Sequence, residues 1–154
     1  METTMAQSCV TRDVGQILDT MISLTRLTPL QRTIVAGGDS MALYLELRQR
    51  GFIRTTTPAL CRHRRAQHAV AFIASQDPAN QAPGRGLEVH VEQISAFMTV
   101  NAGIALLVGS AENGLNIRRK LEKLGFRIEA GVRCSQGLVL SASRQGYEQM
   151  ARAA

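Results

Sequence analysis

The sequence predicts a three-layer, doubly wound α/β fold of the Rossmann-like type: a mostly parallel sheet, helices on both faces, and a C-terminal antiparallel hairpin. Three observations carry this. Short, unbroken apolar runs, Thr33-Ile34-Val35-Ala36, AVAFIA (69–74) and Ile104-Ala105-Leu106-Leu107-Val108, alternate with segments of helical spacing. Two of those segments end in the same way, at Gly51-Phe52 and Gly125-Phe126. The last two extended stretches flank a Ser135-Gln136-Gly137 turn. Strands separated by helices need crossover connections, which make the strands parallel within one sheet.

Each element follows in chain order. Residues 1–11 read as frayed. A helix is expected over 13–25, because Val14, Ile17, Leu18 and Met21 share one face, Asp13 can cap its start, and Thr28-Pro29 closes it. The first strand stops at Gly37-Gly38, after which Asp39 or Ser40 caps a largely apolar helix over 41–50. Gly51 suits the left-handed stop, with Phe52 folding back on the last turn. A second, β-branched strand is expected over 53–57, then a short basic helix opened by Pro58 over 59–68. AVAFIA is the third strand, and 76–86 a surface loop. A helix over 87–100 shows Val91, Ile94, Phe97 and Met98 on one face. The strand at 104–108 comes next, then a helix starting at Asn113 or Asn116 and ending at Leu124, the hairpin 127–133 with 138–143, and a short helix over 145–151.

The chain has 154 residues, 45% of them hydrophobic and 19% charged, which suits one folded domain spanning 1–154 with a substantial core. Aromatic residues make up only 4% and Trp is absent, so aliphatic side chains and Met must fill that core. No apolar run is long enough for a membrane span, and no secretory leader is apparent at METTMAQSCV. Cys9, Cys61 and Cys134 are widely spaced and odd in number, which argues against a disulfide framework or a zinc site and for a cytoplasmic setting. His63, His68 and His90 have no companion at metal-ligand spacing, and no metal is expected.

The net charge of +6 favours acidic partners. Arg62, Arg64 and Arg65, with His63 between them, are the densest basic segment of the 59–68 stretch and offer a contact for nucleic acid, although a solvated helix face explains them as simply. No aromatic residues interleave for base stacking.

Ligands of open parallel sheets bind beyond the carboxyl ends of the strands, where strand order reverses. The turn at Gly37, Gly38, Asp39 and Ser40 falls there, and Ser75, Asp77 and Ser110 follow neighbouring strands. Glycines permit close backbone approach and the next helix presents free N–H groups, although a plain strand-to-helix turn needs the same residues.

Over 31–54 and 69–144 the chain resembles the class I S-adenosylmethionine-dependent methyltransferases. Residues 31–54 look like that family's opening strand, glycine loop and helix. Residues 69–144 resemble its later strands, the helix ending in Leu124-Gly125-Phe126, and its closing hairpin. The resemblance implies a domain that binds S-adenosylmethionine or a related nucleotide through Gly37, Gly38, Asp39, Ser40, Ser75 and Ser110. Two departures imply weak binding and leave the domain either an active S-adenosylmethionine-dependent methyltransferase or an inactive relative. Val35-Ala36 stands where the family carries an acid before the glycine turn, and Arg54-Thr55-Thr56-Thr57 lacks the carboxylate that receives the ribose hydroxyls, with Arg54 expected near its place. No residue is assigned as catalytic. The alternative expectation is a non-enzymatic interaction module on the same scaffold, a homodimer or a binder of an acidic partner.

Overall fold

A computed structural model of the chain describes residues 2–60, 68–74, 87–108, 111–134 and 137–144. The elements are α1 (Glu2–Thr25), β1 (Thr33–Ala36), α2 (Ser40–Gln49), β2 (Thr55–Thr56), β3 (His68–Ile73), α3 (Leu87–Ser95), β4 (Met98–Val108), α4 (Ala111–Lys123), β5 (Phe126–Cys134) and β6 (Gly137–Arg144). The strands form one six-stranded sheet in the order β2-β1-β3-β4-β6-β5. The first four are mutually parallel, β6 runs antiparallel to β4, and β5 runs antiparallel to β6. This is the parallel sheet with a closing hairpin that the sequence predicts.

Alternation along the strands divides the core in two. Ile34, Ala71, Ile73, Ile104, Leu106 and Leu140 face one way, against Val91 and Ile94 of α3 and Ile117 and Leu121 of α4. Val35, Phe72, Ala105, Leu107 and Val139 face the other way, against Ile17, Leu18 and Met21 of α1 and Leu43 and Leu47 of α2. Helices therefore cover both faces, and the central strands can be apolar at every position.

The helix ends obey local chemistry. Gly51 has φ +96°, and the Phe52 N–H donates to the Leu47 carbonyl at 3.0 Å, so the chain closes on itself as the Gly-Phe pair predicts. Gly125 takes the same left-handed conformation after α4. The first helix uses an arginine for this step: Arg26 has φ +54° and the Leu27 N–H reaches the Ile22 carbonyl at 3.2 Å. Arg50 then ties α2 to α1. Its guanidinium pairs with Asp19 and, at 3.2 Å, with Glu46, and Nη2 donates to the Gly15 carbonyl at 3.2 Å. Burial acts to lower the Arg50 pKa, but the two carboxylates outweigh it and leave the pKa raised.

Four expectations are corrected. The first helix begins at Glu2, well before Asp13, because 2–13 contains neither Gly nor Pro to stop it. The second strand shrinks to Thr55–Thr56, because Ile53 lies in a turn where its carbonyl receives Arg48 Nη1 at 2.6 Å. The third helix ends at Ser95, not Val100. The Phe97 carbonyl accepts the His68 N–H at 3.0 Å, and Met98 enters the sheet opposite His68. From that point β4 advances from Met98 to Gly103 while β3 advances from His68 to Val70, and the extra residues form an irregularity in the ladder. Finally, α4 starts at Ala111, ahead of Asn113 and Asn116. Of the basic 59–68 segment, Ala59 and Leu60 form a turn and His68 opens β3. Its residues 61–67, the loop 76–86, Ser135, Gln136 and the closing 145–151 segment lie outside the described residues.

Candidate functional site

From β1 the chain passes through α2 to β2 on one side, while β3 lies on the other side of β1. Strand order therefore reverses between β1 and β3, and the carboxyl ends there are Ala36 and Ile73, which face each other in register. The next residue after β1 is Gly37, with φ +97°. A Cβ on Gly37 would lie 2.3 Å from the Ala74 carbonyl oxygen. No residue with a side chain fits, so backbone proximity to β3 dictates glycine here.

Main-chain hydrogen bonds fix this turn to the end of β3. The Ala74 N–H donates to the Ala36 carbonyl at 3.2 Å, and the Asp39 N–H donates to the Ala74 carbonyl at 3.1 Å. The Ser40 N–H donates to the Gly37 carbonyl at 3.2 Å. Two amides at the head of α2 are thereby used inside the protein. Asp39 occupies the N-cap position, but with φ −97° and ψ 17° its carboxylate makes no capping hydrogen bond, contrary to expectation. An effective cap needs extended backbone at that residue. Ser40 is the first helical residue. Gly38 is exposed at the tip, and Asp39 and Ser40 are half-buried beside it.

The structure thus gathers Gly37, Gly38, Asp39 and Ser40 on one turn at the switch point. Ser75, Asp77 and Ser110 lie outside the described residues, as do Arg62, Arg64 and Arg65. The strands leading to the two serines, β3 and β4, are neighbours in the sheet. Their described ends, Ala74 and Val108, are each 2% exposed and give this part of the edge an apolar character.

Arg54 is not where the sequence suggests. Its Nη1 donates to the Leu30 carbonyl at 3.1 Å, and its own carbonyl receives the Thr33 N–H at 3.2 Å. Thr33 is the first residue of β1, so Arg54 belongs to the amino edge of the sheet, away from the switch point. The residue that follows β2 at its carboxyl end is Thr57, which the sequence reading did not single out. It is buried, and its Oγ1 and carbonyl both face the Leu60 N–H, at 3.4 and 3.0 Å. The available signal was its place before Pro58, at the strand terminus.

Two further polar side chains of the sheet, His68 and Arg144, lie at the amino edge and serve the fold. The buried His68 places Nδ1 3.1 Å from the Phe97 carbonyl. Arg144 Nη1 donates to the Ser95 and Met98 carbonyls at 2.9 and 3.3 Å, and its guanidinium lies 4.9 Å from the centre of the Phe126 ring. Among the described residues no group of three His, Cys, Asp or Glu side chains could hold a metal ion. No described helix is long and apolar enough to cross a membrane.

No protein-family model matches the sequence, and no curated protein is detectably similar to it. Solved structures do match. The ribosomal protein L11 methylase of Lactobacillus delbrueckii subsp. bulgaricus is 14% identical with a TM-score of 0.58, over 86% of this chain and 79% of that one. A 1,6-didemethyltoxoflavin-N1-methyltransferase of Burkholderia thailandensis, solved with 1,6-didemethyltoxoflavin and S-adenosylhomocysteine, is 13% identical with a TM-score of 0.57, over 86% and 78%. A SAM-dependent O-methyltransferase of Thermotoga maritima is 12% identical with a TM-score of 0.56 over 84% of this chain, which spans 65% of that enzyme's length. At such identities the likeness establishes the fold: the chain is built as the class I S-adenosylmethionine-dependent methyltransferases are.

Proposed function

We propose that the chain is a methyltransferase-like domain that binds S-adenosylmethionine, or a related nucleotide, weakly at the Gly37–Ser40 turn and does not transfer a methyl group. The observation that carries this is the position of Gly37, a left-handed glycine at the carboxyl edge between β1 and β3, where the strand order reverses. The S-adenosylhomocysteine bound by the Burkholderia enzyme supports a ligand of that class on this fold. Weakness follows from what surrounds the turn. Val35-Ala36 provides no acid before the glycine turn, Thr55-Thr56-Thr57 provides no carboxylate for ribose hydroxyls, and the Asp39 amide is already bonded to Ala74. One missing charge-assisted hydrogen bond lowers affinity by about 1.5–3 kcal/mol, roughly ten- to a hundredfold. Ser75 and Ser110 are the proposed nearest groups from the next two strands.

Calorimetric titration with S-adenosylmethionine and with its demethylated product tests the proposal, on the natural chain and on Gly38→Val. Weak binding of both ligands that Gly38→Val abolishes is the expected result. Tight binding by the natural chain contradicts the weakened site, and equal binding by both proteins moves the ligand elsewhere. A second reading, an interaction module on the same scaffold, is favoured by the same missing carboxylates, and complete silence to both ligands supports it. A homodimer in the cytoplasm belongs to that reading, and sedimentation analysis would reveal the dimer.

A further inference from the structure

The basic residues are unevenly placed. Residues 118–133 contain six of them (Arg118, Arg119, Lys120, Lys123, Arg127, Arg133) against two acids (Glu122, Glu129), a net +4 out of +6 for the whole chain. This stretch is the second half of α4 and the edge strand β5. Ile117 and Leu121 turn the apolar side of α4 into the core, which leaves Arg118, Arg119 and Lys123 exposed on the outer arc together with Glu122. Lys120 is directed elsewhere, to Glu92 of α3 at 3.1 Å. Arg118, Arg119, Lys123, Arg127 and Arg133 form no ion pair among the described residues. Arg119 and Lys123 are like charges at i and i+4, an arrangement that costs a helix a few tenths of a kcal/mol. The helix dipole accounts for cations in the last turn, at Lys120 and Lys123, but not for Arg118 and Arg119 a turn earlier.

We infer that this outer face of α4 binds the phosphate backbone of double-stranded nucleic acid. Apart from Leu115, which is 55% exposed, the arc is polar and cationic, and guanidinium groups suit phosphate oxygens in paired contacts. Along the helix axis Lys123 stands about 6 Å from Arg119 and about 7.5 Å from Arg118, at a rise of about 1.5 Å per residue, a spacing suited to neighbouring phosphates. An anionic membrane is a poorer match, because an interfacial helix presents an apolar side outward and here that side is inside the core. Single strands fit less well, because bases need exposed aromatic platforms and Phe126 at the start of β5 is buried. The surface stands apart from the Gly37–Ser40 turn, so it holds or fails independently of nucleotide binding.

The experiment is fluorescence anisotropy with labelled 20-base-pair DNA and RNA duplexes over a salt series, using the full chain. The natural protein should bind, with affinity falling steeply as salt rises. Arg118→Gln/Arg119→Gln should weaken binding roughly tenfold at low salt and flatten the log–log salt slope by about 2. Arg62→Gln/Arg64→Gln removes the same charge elsewhere and should change the slope far less. Comparison of the DNA and RNA arms identifies which duplex is preferred. Circular dichroism should give the same thermal midpoint for all proteins. If the double variant unfolds, Lys123→Gln alone should still reduce the slope by about 1. The inference is overturned by an unchanged slope in the α4 variants, by an equal or larger loss in the Arg62/Arg64 variant, or by binding to phosphatidylserine vesicles without binding to either duplex.

Discussion

A methyl group on Gly37 would sit 2.3 Å from the Ala74 carbonyl oxygen, on a backbone with φ +97°. Both faults act together in Gly37→Ala, which should lose about 2 kcal/mol or more in a urea titration. A loss under about 0.5 kcal/mol would mean that the turn can move off β3. Gly37 thus has a structural duty separate from any ligand, and Gly38, exposed at the tip, is the better probe of binding. At His90, half-buried on α3, burial pushes the imidazole below its ordinary value of 6.5. A depressed folded pKa gives stability that is present above the unfolded value and lost as pH falls through the folded one. Natural protein should therefore lose more stability between pH 7 and pH 5 than His90→Gln does, as read from urea midpoints. Parallel pH profiles would show that His90 is solvated. Arg54 shows where residue-level reading fails. With the strand expected over 53–57, Arg54 sits within it and near a ligand. With the strand at Thr55–Thr56, it precedes the strand and bonds Leu30 at the opposite edge.

At the scale of elements, β4 tests the layer arrangement. It lies between β3 and β6, and its Leu107, 2% exposed, packs in the cluster that includes Leu18, Phe72 and Val139. Leu107→Ala should cost about 2–5 kcal/mol, because helices cover both faces and the cavity cannot fully collapse. A measured loss well below about 1 kcal/mol would place this strand at the periphery. The strand was legible because Ile104 to Val108 is an unbroken apolar run, and Gly51-Phe52 and Gly125-Phe126 were legible because few residues tolerate a left-handed stop. The first half of β4 was not. Val91, Ile94, Phe97 and Met98 satisfy helical spacing, and only the pairing of His68 with Phe97 and Met98, a contact remote in sequence, draws the chain into the sheet. The end of α1 at Thr25 was legible from Thr28-Pro29, although Arg26 performs a step for which glycine is the usual signal, whereas its start at Glu2 was not.

At the scale of the molecule, the mostly parallel sheet and its closing hairpin were readable from strand-helix alternation, and with them the carboxyl edge after β1. Which groups would meet a ligand there was less so. Alternating burial assigns residues to faces, whereas a site at the carboxyl edge depends on where each strand stops. The β1–α2 turn spends the Asp39 and Ser40 amides on Ala74 and Gly37, which a sequence pattern does not disclose. A ligand is accordingly expected to rest against the exposed tip, Gly38 with Asp39, and to be held loosely. The most direct test follows backbone amide resonances of isotopically labelled protein during addition of S-adenosylhomocysteine. Fast-exchange shifts concentrated at Gly37, Gly38, Asp39, Ser40 and Ala74 are the predicted result. Shifts concentrated at the amino edge, around Arg54, His68 and Arg144, or slow exchange typical of a tight complex, would contradict it.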